Sequence, residues 1–333
     1  MISWRGLALG IGGACAQPEI FAPLVEELGK GMAQELKGRL ADVLRYHWRS
    51  KHFLDVQATL PETLDWSTQP SPWRSYLGAP AVRLPTALPD AVSADSVPLS
   101  LNSLGSFLRL GAGISAWKSY DGVHAWALRV APSSGNLQTT EVHLVLPPLE
   151  GLAPVTAAYH YQPEMHHLEL RLEAPQELVG GHQSSASGFL VILSSLCVRE
   201  AWKYGERALR SCHLNLGHML QALSVSCELH GWIMEEASGA LILDPVLRRI
   251  LDVQDETPEL ALWVTTGSEG SVPAMAWAEE LMAVYQQAQL KSLGASQGTA
   301  VPATASEPQV ALQDMGNPNV SSEEYQKNMD KQL

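Results

Sequence analysis

Three short stretches of this chain carry side chains able to do chemistry. In "REAWKYGERALR" (199–210), Lys203 stands beside Tyr204. Burial lowers a lysine pKa, so an ammonium next to a phenol in a partly buried place can take up and release a proton. In "RYHWRSKHF" (45–53), Arg45, His47, Arg49, Lys51 and His52 crowd a helix end around Ser50. Guanidinium forks, ammonium groups and a nearby hydroxyl suit phosphate oxygens. In "PSSGN" (132–136), Ser133, Ser134 and Asn136 surround a glycine directly before an alternating, strand-like run. Backbone N–H groups and short polar side chains can meet a polar ligand there. Each stretch also has a plainer reading: a surface loop with a packed Trp202, a solvated helix end whose cations suit the helix dipole, and a simple turn.

Other chemistries are disfavoured by spacing. His143, His160, His166, His167, His213 and His218 are numerous, but His213 and His218 stand five apart and do not share a helix face as an HExxH zinc site requires. His166 and His167 fall on opposite sides of a strand. No GxSxG elbow frames Ser133 or Ser134, which argues against a serine hydrolase. Cys15, Cys197, Cys212 and Cys227 form no CxxC pair, so a cysteine zinc site is disfavoured and free, mostly buried thiols in a reducing compartment are expected.

The elements that must position these groups can be read from pattern. A chain of 333 residues that is 46% hydrophobic can bury a substantial core. Its net charge of −13 argues against a nucleic-acid partner, which needs a basic face. No apolar run approaches the ~20 residues of a membrane span. Residues 1–18 read as a flexible N-terminus, since Gly6, Gly10, Gly12 and Gly13 break its apolar core. The "ACA" within it resembles a leader cleavage site, so the expected compartment is the cytoplasm, or an organelle if this is a transit peptide.

Leu24, Leu28, Met32, Leu36, Leu40 and Leu44 recur every fourth position and predict one amphipathic helix over about 19–47. The proline-rich stretch 54–98 predicts an irregular segment wrapped over a surface and anchored by Trp66, Trp73 and Tyr76. Leu101, Leu104 and Leu108, with Gly111, predict a second helix. Strands are expected at "HAWALRVAP", "TEVHLVL", "GFLVILSS" and "ELALWVTTG", with a hairpin in "AAYHYQPEMHHLELRLE" around Gln162–Glu164. A long helix from about Glu206 to Glu228 is expected to bury Leu209, Leu216, Leu220, Leu223 and Cys227. A last helix is expected over 275–290, and a disordered tail over 291–333. Helices mixed with hairpin strands indicate an α+β domain over 19–290 with a mixed or antiparallel sheet flanked by helices.

Taken in order, the segments "YHWRSKHF", "LDWSTQPSPWRSYLGAP", "ISAWKSYDGVHAWALRVAPSSGNLQTTEVHLVLP", "AAYHYQPEMHHLEL" and "REAWKYGERALRSCHLNLGHMLQAL" resemble the nitroreductase-like flavoproteins, specifically the SagB/ThcOx-type dehydrogenases, across roughly residues 40–265. The resemblance implies a nitroreductase-like fold that binds FMN non-covalently at a two-module or dimer interface. It implies phosphate contacts at Arg49, Ser50 and Lys51, and flavin contacts at Ser133, Ser134 and Asn136. It also implies that Lys203 and Tyr204 support proton removal while a hydride passes to the flavin. The substrate would be a small molecule or a peptide, and the partner a second copy of the chain or a second nitroreductase-like module.

The chain departs from the family pattern in places. Trp48 stands where a second arginine is usual, and Gln138, Thr139, Thr140 and Glu141 stand where "HPTE" is common. In Leu214–His218 the usual aspartate is Asn215, which removes a carboxylate near the expected site. A catalytically degenerate scaffold or partner protein of the same fold is the alternative these departures leave open.

Overall fold

The computed structural model describes residues 22–28, 30–31, 34–52, 61, 63–88, 96–119, 125–173, 188–237 and 255–266. The N-terminus over 1–18, the helix over 275–290 and the tail over 291–333 lie outside the described residues. In chain order the elements are α1 (Ala22–Leu28), α2 (Gln34–Arg49), β1 (Ala81–Arg83), α3 (Leu101–Ala112), β2 (Ile114–Ser119), β3 (Ala125–Arg129), β4 (Thr140–Leu146), β5 (Ala157–Gln162), β6 (His167–Glu173), β7 (Gly188–Ser195), α4 (Cys197–Tyr204), α5 (Ala208–Leu229), β8 (Ile233–Glu236) and β9 (Thr257–Thr265).

Seven strands form one sheet in the order β1-β6-β5-β4-β7-β9-β8, and each of these neighbours pairs antiparallel. The remaining pair, β2 and β3, makes a separate antiparallel ribbon. The architecture is α+β, and of the two expected sheet types it is the antiparallel one. Strand alternation sends Val142, Leu144, Leu146, Tyr159, Tyr161, Leu168, Phe189, Val191, Leu193, Leu262 and Val264 to one face. There they meet Leu104, Phe107 and Leu108 of α3 and Met219, Leu223 and Cys227 of α5. Each large apolar side chain buried this way contributes about 1.5–3 kcal/mol. The helix α3 begins on a capping box in which Ser100 Oγ accepts from Ser103 N–H and Ser103 Oγ accepts from Ser100 N–H.

The opposite face of the central strands carries a polar network among apolar side chains such as Val145, Leu190 and Ile192, and it is equally buried. Glu141 and His143 on β4, His160 on β5, Glu169 on β6 and Ser194 on β7 are all enclosed. Part of what encloses them is the proline-rich stretch. Tyr76 N–H donates to Glu169 Oε2 at 3.2 Å, and Tyr76 Oη donates to Glu256 Oε1 at 2.8 Å. Arg74 reaches Asp255 through both terminal nitrogens, at 2.9 and 2.7 Å. The expected aromatic anchors are therefore at work: Tyr76 in the interior, Trp66 edge-on to Trp202 at 5.3 Å, and Trp73 tilted against Trp117 at 6.3 Å.

Three expectations need correction. The single helix over 19–47 is two helices, α1 and α2, separated by a turn in which Gly31 adopts a φ of 78°, and Leu36 is exposed. The expected start at Glu206 lies in a 3-10 turn over Gly205–Arg207, which separates α4 from α5. Leu209 is 44% exposed. The inward stripe of α5 runs Ala208, Ser211/Cys212, Asn215, Met219, Leu223 and Ser226/Cys227. Leu209 lies one residue off that stripe, about 100° around the helix, while Leu216 and Leu220 flank it half-buried. The short strands β1, β2 and β8 were not expected from pattern.

Candidate functional site

After β7 the chain turns straight into α4. Leu196 N–H donates to Thr139 O at 2.8 Å, and the buried Arg199 donates from Nη1 to Gln138 O and to Glu141 Oε1, both at 2.6 Å. These bonds pin the start of α4 to the mouth of β4, so the last turn of α4, with Lys203 and Tyr204, is held beside the turn 133–138.

That turn is built on left-handed backbone at Gly135 (φ 60°), Asn136 (φ 55°) and Gln138 (φ 53°). Left-handed conformations cost non-glycine residues about 1–2 kcal/mol each, so something must offset them. Ser133 Oγ accepts from Gln138 N–H at 2.9 Å, Asn136 Nδ2 donates to Ala127 O at 3.0 Å, and Gln138 Nε2 donates to Asn136 Oδ1 at 2.6 Å. From α5, Asn215 Oδ1 accepts from Ser134 N–H at 2.9 Å and from Ser134 Oγ at 3.1 Å. Its Nδ2 donates to Thr139 Oγ1 at 3.0 Å. Ser133, Ser134 and Asn136 remain half-buried.

Gly135 brings the turn onto the Lys–Tyr pair. A Cβ there would stand 2.9 Å from Tyr204 Oη and 3.2 Å from Lys203 Cδ, so a larger residue would push the pair away from the turn. Lys203 Nζ lies 5.7 Å from the Tyr204 ring centre and 5.8 Å from that of Trp66, within cation–π reach. Burial, then the Glu200 carboxylate, raises the Tyr204 pKa, with Arg207 acting against them.

The basic cluster is assembled from α2 and the first turn of α5. Tyr46 Oη accepts from Arg210 N–H at 2.9 Å, Arg210 Nε donates to Ser50 Oγ at 2.9 Å, and Arg210 Nη2 donates to His47 O at 2.6 Å. Arg207 Nη1 donates to Ser50 O. Ser50 is thus buried with its hydroxyl engaged, whereas Arg49 is exposed and paired with Glu206 at 2.8 Å. Lys51 Nζ sits 4.8 Å from the Trp48 ring centre. Burial first, then Arg210 and Lys51, lowers the His47 pKa; burial, then Arg207, lowers that of His52. Two neutral histidines among Arg49, Lys51, Arg207 and Arg210 make a donor set suited to a phosphate.

Behind the turn lies the buried polar network. His160 sits between Glu169 Oε2 at 2.8 Å and Glu141 Oε2 at 3.1 Å. Burial opposes its charge, but the two carboxylates outweigh burial and raise its pKa. Burial also opposes charge on the carboxylates; Arg199 and His160 outweigh it at Glu141, and His160 and His167 at Glu169, bringing each down to about 2. His143 meets Glu256 Oε2 at 2.7 Å, yet burial lowers its pKa. Glu256 is held well below the usual carboxylate range by His143 and Arg74, against its burial.

Residues 98–268, from just before α3 to just past β9, match the Nitroreductase family. The chain belongs to the nitroreductase family. Members of the nitroreductase family are, in general, flavin-dependent oxidoreductases. Among solved structures, a protein assigned as a nitroreductase from Anabaena variabilis aligns at 26% identity and a TM-score of 0.54, over 67% of this chain and 46% of that one. The chain described here therefore matches less than half of the Anabaena protein's length. A protein assigned as a nitroreductase from Ralstonia eutropha overlaps at 17% identity and a TM-score of 0.42, over 64% of this chain and 97% of that one. A chain of the E. coli microcin synthetase McbBCD complex with truncated pro-MccB17 bound overlaps at 17% and 0.41, over 78% and 97%. Among curated proteins none matches in sequence.

Of the residues expected to act, the structure brings Ser134, Asn136, Lys203 and Tyr204 together around Gly135. Arg49, Ser50 and Lys51 stand in a second cluster joined to the first through residues 203–210. Sequence reasoning missed Glu200, Arg207 and Arg210 in the same "REAWKYGERALR" stretch, where only the crowding of charges hinted at them. It registered Asn215 as a lost carboxylate and not as the clamp on the turn. Among the described residues no group of three or more His, Cys, Asp and Glu side chains is arranged to hold a metal ion, and no helix is long and apolar enough to cross a membrane.

Proposed function

We propose that this chain is an FMN-dependent oxidoreductase of the SagB/ThcOx dehydrogenase kind, acting on a small molecule or a peptide. The observation that carries this reading is the contact of the Gly135 turn with Lys203 and Tyr204. FMN, when bound, would supply the hydride chemistry. Arg49 and Lys51, with Arg207 and Arg210 behind them, would hold its phosphate. Ser133, Ser134 and Asn136, fixed by Asn215 and Ala127, would present the turn to the flavin. Lys203 and Tyr204 would hold and move the proton that accompanies the hydride. A second copy of this chain or a separate nitroreductase-like module would complete the site.

A second reading, a catalytically degenerate scaffold, is favoured by one observation: Arg49 already pairs with Glu206, and the polar groups of the turn largely bond one another. The absorption spectrum of the purified full-length chain, before and after adding FMN and removing the excess, separates the two. Retained visible flavin absorbance supports the enzyme. A folded, colourless chain that never retains FMN supports the scaffold.

A further inference from the structure

Glu200 lies three and four positions before Lys203 and Tyr204 on α4, which puts all three on neighbouring parts of one helix surface. It is completely enclosed, at 0% exposure, and neither carboxyl oxygen makes a well-formed hydrogen bond, Ser211 and Asn215 being close enough only for weak support. Buried polar atoms are nearly always satisfied, and a buried carboxylate without partners is strongly disfavoured against the neutral acid. The groups facing it are Cys197, Lys203 and Tyr204 from its own helix and Ser211, Cys212 and Asn215 from α5. Of these, Lys203 favours a charge on Glu200 and Cys197 opposes it, while Ser211 and Asn215 lend partial polar support. Asn215 is also the residue that clamps the Ser134–Gly135 turn, so Glu200 neighbours both that clamp and the Lys–Tyr pair.

We propose that Glu200 is the proton store of the Lys203–Tyr204 pair, a buried carboxyl that exchanges a proton with them and thereby sets the charge facing the Gly135 turn. The exchange is balanced within the chain. A proton leaving Lys203 Nζ or Tyr204 Oη breaks one N–H or O–H bond there and forms one O–H bond at Glu200, with no change in net charge and no electron transferred. Glu200 is a positioning residue in this scheme, because it works through the pair. Burial pushes its carboxyl up to about 7, so near neutral pH it stands ready either to hold a proton or to release one. The other buried carboxyls, Glu141, Glu169 and Glu256, are held far below this and stay ionised. The proposal rests on the flavin reading only for what the pair acts upon.

Infrared difference spectra of the full-length chain without ligand, in heavy water over about pH 5–9, test it. The expected result is a protonated-carboxyl band that titrates with a midpoint at about 7 and is lost in Glu200→Gln. In Lys203→Met the midpoint is expected to rise by roughly half a pH unit, because a neighbouring cation is gone. A band that persists in Glu200→Gln overturns the proposal, and so does a midpoint unmoved in Lys203→Met, which leaves Glu200 a packing residue. Should Glu200→Gln fail to fold, Lys203→Met decides alone, since Lys203 is only half-buried. FMN retention is scored separately. A colourless wild-type chain with the infrared pattern intact overturns the flavin reading and not this one; a yellow chain with an unmoved midpoint does the reverse.

Discussion

Arg49 and Glu206 form an exposed ion pair, and exposed pairs hold each other weakly, by about 0.2–1 kcal/mol. A phosphate can therefore draw Arg49 away from Glu206 at small cost. If Arg49 binds the FMN phosphate, Arg49→Ala is expected to weaken FMN binding by about 1.5–3 kcal/mol. Glu206→Gln, which releases Arg49, is expected to tighten it by up to about fivefold. Quenching of flavin fluorescence on titration measures both, and unchanged affinity in both variants removes Arg49 from the site. Glu200 supplies a prediction of the opposite kind. Its folded pKa lies above the ~4.3 of an unfolded glutamate, so its share of stability is complete below about pH 4 and is lost as pH rises through about 7. Glu200→Gln should therefore be more stable than the parent at pH 8, by about 2–3 kcal/mol, and no more stable at about pH 4. Urea denaturation at the two pH values measures the difference.

The elements around the site are held by close backbone approaches that tolerate little. At Gly135 the φ of 60° and the proximity of Tyr204 Oη act together, so Gly135→Ala is expected to cost about 1–3 kcal/mol and to displace Tyr204 and Lys203. On the flavin reading it also lowers FMN retention. Gly111→Ala serves as its control. There a Cβ would meet Leu223 Cδ2 at 2.7 Å and press α3 off α5, with a similar loss of about 1–3 kcal/mol from overpacking. Gly111 lies in the α3–α5 packing and not at the turn, so FMN retention in folded protein is expected to be unchanged. A loss of retention in both variants, with folding intact, would mean that the turn has no special role.

For the molecule as a whole, the buried polar face of the sheet sets the response to pH. Glu141 and Glu169 titrate at about 2 when folded, below the ~4.3 of the unfolded chain. Depressed carboxylates contribute stability that is present above the unfolded value and lost as pH falls through the folded one. His160, with its raised pKa, contributes stability that is complete below its unfolded ~6.5 and lost as pH climbs through its folded value. Together with Glu200 these groups place the stability maximum between about pH 4 and 7, with a steep decline below about 4 that scanning calorimetry would register. A melting temperature that stays flat down to pH 2 would show that the network contributes nothing.

Much of this protein could be read from residue order because the deciding interactions are local. The alternation of "TEVHLVL" and "AAYHYQPEMHHLELRLE" specifies strands and a hairpin, Leu101, Leu104 and Leu108 specify α3, and the serines, glycine and asparagine of 132–136 specify a turn. The adjacency of Lys203 and Tyr204 is likewise written in the chain. Tertiary structure decided which of these groups lose their water. Glu141, His143, His160 and Glu169 occupy alternate strand positions that, by period alone, would face solvent; segments from around Tyr76 and Glu256, distant in the chain, close over them. Leu209 and Glu200 show the same thing in reverse, an apolar side chain left outside and a carboxyl shut inside. Periodicity sets which side of an element a residue takes, but only the packing of remote segments sets what lies opposite. That packing determines whether a charge is paired, neutralised or held at the edge of titration.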